Sequence, residues 1–447
     1  MLNSAKTTSG AAITPASYQL VGVKITMSND ATIDITNLVV DITVSESMFL
    51  SSITTVLNIV DGVDLLRKAH LTGGEKVHIK IMRKNNSDES YSTAENKFDI
   101  TCYLSRIVNH VKPKAGIQTY VLSCVGEHAF ISQTKSISRS FNSNSNALVR
   151  DICLNDLKYS RKTNFSDKNL PVISGIYPNL KPLDAIHWLL RNIDDEDTPF
   201  FFYETAAEGL QLNSYNELVE QEVFRKYNNS PFYINKFETK EHFDEVQCKI
   251  INMSSDFDMR KFDQIGDGAF SGIVHNVDIA NKKYTINNFD HSLKNNIKLN
   301  SYAGVSKNIK FDDTVLNESY NSKEFFVSTN SKSFEGEKIT YHEKIKDSLL
   351  AKNSYFQNIR FMGLEIELYG DFNLCPGKII ELKIVKSTDV NTLESNQKEG
   401  MIDKHLSGKY LVAAIDHVFD GNEYRCLVSI HKDSLNYDLD SNITIGT

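Results

Sequence analysis

Basic charge is in deficit in this chain. Its 447 residues carry 49 Lys and Arg against 57 Asp and Glu, a formal net charge of −8 at pH 7. A nucleic-acid-binding module needs a basic patch that displaces counterions from phosphates, so the balance argues against that class. Long apolar runs are missing too: none approaches the roughly 20 residues of a membrane-spanning helix. The stretch Met1–Ser17 is polar and lacks a secretory apolar segment. A chain with no stable membrane association is expected. The six cysteines, at 102, 124, 153, 248, 375 and 426, include no C-x-x-C pair. Cys102, Cys124 and Cys426 lie in alternating apolar strands, where a free thiol packs as a small hydrophobe. Reduced structural thiols are therefore expected, not a disulfide framework or a metal site. Cys375 precedes Pro376-Gly377 and belongs to a turn.

Catalytic signatures are equally scarce. The 12 histidines form no H-x-H or H-E-x-x-H, and G-x-S-x-G, the P-loop and G-x-G-x-x-G are absent. Three groups of residues nevertheless invite a chemical reading. His110 follows Asn109 and His417 follows Asp416, which suggests an acid–base or metal pair; a repeated position at a strand end explains both without chemistry. Asp194-Asp195-Glu196-Asp197 follows a helical stretch, where acids oppose the macrodipole. It reads as a cation site, as a contact to a neighbouring subunit's basic residues, or as a solvated loop. Glu204 and Glu208 flank a strand and turn and could serve as a carboxylate pair, but nothing marks a sugar-binding cleft. The expectation is no enzyme, with no catalytic, cofactor-binding or metal residues.

What is present is a repeated β pattern. Tyr103-Leu104 with His110-Val111 is echoed by Tyr410-Leu411 with His417-Val418, both reading Y-L-x5-H-V. Upstream, Gly74 leads to Val77, Ile79 and Ile81, and Gly377 leads to Ile380, Leu382 and Ile384. Period-two alternation followed by a hairpin, used twice in the same order, indicates a duplicated β-module.

The length suits about three domains. Residues 1–17 read as a flexible arm, and 18–127 as a compact antiparallel β domain. The period changes in 128–197: Leu148, Val149, Ile152, Cys153 and Leu157 form a helical face with Ser145 or Asn146 as N-cap. Pro182 starts a second helix. Residues 198–224, with the run Pro199-Phe-Phe-Phe-Tyr203 and a capping box at Ser214–Glu217, open the second β domain. Residues 225–335 are polar and Asn-rich and read as an inserted mixed domain. A helix from Thr340 to Lys352 leads into the second β domain, 336–435, which contains a long polar excursion at 387–406; 436–447 is a tail. The fold class is mainly β (α+β).

Three segments carry a family resemblance. Asp61-Gly62, Leu65-Leu66 and Leu71-Thr-Gly-Gly-Glu75 resemble the first tube domain of the baseplate central hub proteins of T-even-type contractile phage tails. Pro199–Thr205, Gly209-Leu210 and Ser214–Leu218 resemble a later passage of that family. Gly408–Val412, His417, Tyr424 and Lys432-Asp433-Ser434 resemble its closing hairpin, and Gly266–Ser271 with Asn288–Asp290 add a weaker match. Leu210, where the family has an aromatic, and the 387–406 loop depart from it.

The resemblance implies two tube-type antiparallel β-barrel domains with helical and mixed inserted domains. It implies a homotrimer whose six tube domains adapt the six-fold tail tube to the three-fold central spike and organise baseplate assembly. Expected partners are the central spike, tail tube or tube-initiator proteins, tape measure protein, peripheral baseplate wedge proteins, and DNA in transit through the channel. The expected location is the virion tail baseplate, assembled in the host cytoplasm. The base of a type VI or other contractile injection spike, and a tail-associated cell-wall hydrolase, are the alternative readings.

Overall fold

The computed structural model describes residues 16–437 apart from 84–96, 115, 169, 171, 192–197, 230–245, 255–260, 280, 291–297, 304–309, 312–313, 316–321, 330–340, 387–401 and 422. The acidic run Asp194–Asp197 and most of the 387–406 excursion therefore lie outside the described residues.

Alternating β-branched and polar residues build the first module. Its strands are β1 (Tyr18–Thr26), β2 (Thr32–Asp34), β3 (Val39–Ser47), β4 (Thr54–Asp61), β5 (Lys76–Arg83), β6 (Lys97–Lys114) and β7 (Ile117–Gly126). They pair antiparallel in the order β2-β1-β5-β6-β7-β4-β3. Val23, Ile25, Val44, Leu57, Ile79, Ile100 and Leu122 point inward and are fully buried.

The middle region then switches to helices. These are Glu127–Gln133, Ser145–Asp151, which runs on into a π turn, and Pro182–Leu190, with Pro182 in the first turn where a missing N–H costs nothing. Asn144, not Ser145 or Asn146, is the N-cap: its side-chain oxygen accepts the Asn146 N–H at 2.9 Å. Four short strands accompany these helices, namely β8 (Ser140–Asn144), β9 (Thr163–Phe165), β10 (Val172–Ile176) and β11 (Phe200–Thr205), followed by β12 (Gly209–Ser214). β11 pairs with β12, and β12 runs parallel to β9. Residues 198–224 were expected to open the second β domain, yet these strands form a small sheet apart from the large one. Both faces of β11 are covered, which explains its unbroken apolar run. Phe200 and Phe202 pack in the helical region's core, while Phe201 and Tyr203 pack with Leu411, Ala413 and Ile379. The capping box expected at Ser214–Glu217 is present in full and opens the helix Tyr215–Val219.

The second module reaches further into the expected insertion than its sequence suggests. β13 (Val223–Asn228) runs across the 224/225 boundary and β14 (Ile250–Ser254) lies wholly within the region expected to be an insertion, yet both join the large sheet. β14 escaped notice because it is an edge strand whose residues after Ile250 are largely solvent-facing. The inserted unit proper contains β15 (Ser271–Asp278), β16 (Lys283–Asp290), the two-residue strands β17 (Tyr302–Ala303), β18 (Lys310–Phe311) and β19 (Thr314–Val315), and β20 (Glu324–Thr329). A three-stranded sheet, β16-β15-β20, packs Val274 and Phe289 against Leu350 and Ala351 of the helix Tyr341–Ile359. That helix extends seven residues beyond its expected end at Lys352. The chain returns to the large sheet with β21 (Met362–Tyr369), β22 (Ile379–Lys383), β23 (Gly408–Asp420) and β24 (Glu423–Lys432), and β25 (Ser434–Leu435) then pairs with β17 outside it.

The two modules share one sheet and one core. β23 pairs with β22 over its first residues and with β3 from Ala414 to Asp420, so all thirteen strands form one continuous sheet. One apolar core runs beneath both. Phe98 of the first module packs edge-on against Phe372, Phe419 and the His417 ring of the second, with centroids 4.8, 6.2 and 4.9 Å away.

Candidate assembly interfaces

The duplication is visible residue by residue. Gly74 and Gly377 both adopt positive φ, 90° and 84°, a conformation that favours glycine. The Gly74 N–H donates to Leu104 O and the Leu104 N–H to Glu75 O; Gly377 N–H donates to Val412 O and Val412 N–H to Lys378 O. Leu104 and Val412 are therefore equivalent, and each is followed by a bulge, Leu104/Arg106 in β6–β7 and Val412/Ala414 in β23–β24. A second matched bulge, Val39/Asp41 in β3–β4 and Ile250/Asn252 in β14–β21, makes β14 the counterpart of β3. A bulge kinks and re-aims a strand, so two at matched positions are structural features inherited twice.

The sequence echo is real but slipped by one residue. Val77 lies opposite Cys102 and Ile380 opposite Tyr410, so Tyr410 occupies the place of Cys102, not of Tyr103. One step along a strand reverses the face. Tyr410 points into the core and donates to Leu406 O at 2.7 Å, whereas Tyr103 turns outward and stacks on Phe130. Further along, Asn109 and His110 together occupy a bulge opposite Tyr120, where His417 alone stands opposite Cys426.

The two histidines thus sit at corresponding places in very different surroundings. His110 is exposed and meets Gln118 Oε1 at 2.9 Å. His417 is fully buried at the seam between the modules, with Nδ1 2.8 Å from the Tyr424 hydroxyl and Nε2 3.5 Å from Glu46 Oε1 on β3. Burial alone would depress this imidazole, but the Cys426 thiol and the Glu46 carboxylate beside it raise its pKa to about 10. Glu46 also accepts the Ala206 N–H at 2.9 Å, tying the seam to the turn after β11. The structure does not bring the two histidines into one site.

Glu204 and Glu208 serve as ties between regions. Glu204 is buried and accepts from the Ile53 N–H (3.2 Å), the Tyr159 hydroxyl (3.1 Å) and Arg161 Nη1 (3.2 Å), with His128 Nδ1 3.7 Å away. Burial and this carboxylate push the Tyr159 phenol well above its usual value. Glu208 pairs with Lys378 at 2.7 Å, just after Gly377. Sequence reasoning missed Asp433, which accepts from the Tyr215 hydroxyl (2.6 Å) and the Leu299 N–H (3.1 Å) and so joins three regions. Among the described residues no three His, Cys, Asp or Glu side chains converge on a metal position. Five of the six cysteines are buried, Cys248 is partly exposed, and none of the six is in a disulfide.

Two surfaces remain. The solvent face of the large sheet carries Glu365, Glu367 and Asp416 in the second module, with Arg425 paired to Glu367 at 2.7 Å. Across the seam it continues through Thr43, Ser45, Thr54 and Asn58. The inserted unit is polar in overall composition, yet its three-stranded sheet exposes Phe326 (74%), Tyr284 (55%) and Ile286 (54%) on the side away from the helix, the rings of Phe326, His275 and Tyr284 standing in a parallel row.

Two solved structures share this architecture along nearly the whole chain. The 43 kDa tail protein of prophage MuSo2 from Shewanella oneidensis matches 94% of this chain and 100% of its own, with TM-score 0.52 and 10% identity. A tail protein from Neisseria meningitidis MC58 matches 93% and 97%, with TM-score 0.50 and 10% identity. No family model and no curated protein matches the sequence. The likeness is one of fold: a mainly β chain with the architecture of phage tail proteins.

Proposed function

We propose that this chain is a structural hub of a contractile-tail baseplate, acting as a homotrimer that adapts a six-fold tube to a three-fold spike. The observation that carries the reading is the duplicated module laid side by side in one sheet. Three copies of a chain holding two matched modules supply six near-equivalent positions on one end and three on the other. In this arrangement the solvent face of the large sheet lines the channel. Along β3, β4, β21 and β23 that surface is acid- and hydroxyl-rich, which lets tape measure protein and polyanionic DNA pass without the salt-dependent grip of a basic wall. The exposed Phe326–Tyr284–Ile286 face of the inserted unit points to peripheral baseplate proteins, and exposed apolar patches of this kind mark interaction sites. A hydrolase reading finds no support in Glu204, whose two oxygens are committed to internal bonds, or in Glu208, whose Oε1 is paired with Lys378. Light scattering on the purified chain tests the trimer: a mass three times the 50.6 kDa chain is expected. A strictly monomeric chain, alone and with spike or tube proteins, would refute the reading.

A further inference from the structure

Within one chain, the two modules join where β22 leaves β23. From Ala414 onward that side of β23 is taken by β3, with Val418 opposite Thr43 and Phe419 opposite Ile42. In the first module β5 leaves β6 at the matching place, beyond Tyr103. Among the described residues, the same side of β6 from Arg106 to Lys114 then has no strand partner, and Val108 (37%) and Val111 (56%) are exposed there. Among the described residues β14, the counterpart of β3, likewise has no strand partner on its outer side beyond the bridge between Asn228 and Lys249 just before it, and its bulge residue Ile251 is 41% exposed. Each module therefore presents one half of a seam whose other half is closed inside the chain. Open strand edges invite pairing, and proteins that keep them use or cover them.

We infer that β14 of one copy pairs antiparallel with the outer half of β6 of the next, and that this strand pairing is the seam between subunits. The partner is a second copy of this chain, because the continuity is with the seam already formed within it. Register follows from the two matched bulges. Thr43 corresponds to Ser254 and Ile42 to Met253, while Val418 corresponds to Val111. Transposing the internal seam places Val111 opposite Ser254 and Lys112 opposite Met253 of the adjoining copy. The contact is heterologous: it joins different surfaces and closes only as a ring. The two seams differ in chemistry. The internal one buries His417 against Glu46, whereas at the corresponding place on β6 the exposed His110 is bonded to Gln118. The seam between subunits lacks that buried ion pair on the β6 side and is the one expected to form last and open first.

The inference rests on the ring reading above, and engineered cysteines separate the two. Opposed strand residues lie within disulfide reach. The double variant Val111→Cys with Ser254→Cys, oxidised mildly in the full-length protein, is expected to give covalent trimers on a non-reducing gel. The same pair with the second cysteine moved to the inserted unit, as Thr285→Cys, is expected to give none. Val111→Asp, at an exposed position, is expected to leave the melting temperature unchanged while shifting trimer to monomer; Val60→Asp, exposed on β4, is expected to leave the trimer intact. A protein that is trimeric by light scattering yet yields no cross-link between positions 111 and 254, with Val111→Asp still trimeric, overturns this seam and leaves the ring standing. A chain that is monomeric under every condition overturns both.

Discussion

Two buried charges of the second module behave differently from one another. Against the burial that would depress it, His417 is held charged by Cys426 and Glu46 together, with its folded pKa raised to about 10 from an ordinary 6.5. A base whose folded pKa is raised contributes stability that is complete below pH 6.5 and is lost as pH rises toward 10. Glu46→Gln removes the partner, so the stability difference between wild type and variant is expected to be largest near pH 6 and to shrink by pH 10. Denaturant unfolding at both pH values measures it; a gap that widens with pH would contradict the assignment. Lys432 is the opposite case. It is fully buried, donates to His405 O at 2.5 Å and lies 4.8 Å over the Tyr410 ring, and burial lowers its pKa to about 8. Keeping the ammonium charged at neutral pH then costs roughly 3 kcal/mol, since each pKa unit is about 1.4 kcal/mol. Lys432→Met is expected to stabilise the fold by about 1 kcal/mol or more at pH 7, because the loss of one bond to a carbonyl offsets part of the gain. The gain should fade as pH approaches 10. A variant less stable than wild type at pH 7 would show that the bond to His405 outweighs the desolvation.

At the level of elements, the strands of both modules were legible because half-buried sheets write themselves as period-two patterns. Gly74 and Gly377 were correctly matched, since their positive φ admits few other residues. The Y-L-x5-H-V echo was legible too, but its register was not. Sequence identity aligned Tyr103 with Tyr410, while hydrogen bonding aligns Tyr103 with Leu411, and nothing in the letters reveals which side of a strand a tyrosine takes. β14 was read as insertion because an edge strand buries little. β11 was given to the wrong sheet because an apolar run covered on both faces does not say what covers it. The buried ties through Glu204, Glu46 and Asp433 join residues separated by as many as 218 positions, and such pairings have no local signature. These element roles separate experimentally. Ile380 and Leu382 are buried in β22, so Ile380→Asp with Leu382→Asp is expected to unfold the second module and abolish assembly. Phe326→Asp with Ile286→Asp, both on the exposed face of the inserted unit, is expected to leave melting temperature and trimer mass unchanged and to weaken binding of peripheral baseplate proteins. Monomers from the second pair, with trimers from the first, would reverse the roles assigned to the two regions.

For the whole molecule, the one continuous sheet changes what a subunit is. Two barrels on a linker could vary their angle, and a ring of such units would be a loose chain of modules. Joined through seven residue pairs between β3 and β23 over a shared core, the two modules form one continuous segment of the proposed ring. In the proposed trimer only three junctions then remain to be closed, and each would repeat a geometry already built within the chain. A trimer assembled this way matches a six-fold tube through its modules and a three-fold spike through the chain itself. Electron microscopy of the purified assembly tests this most directly. Class averages viewed down the axis are expected to show a ring with an open centre, three-fold symmetry and six similar inner lobes. Monomers, two-fold dimers, or a three-fold particle with a filled centre would contradict the account.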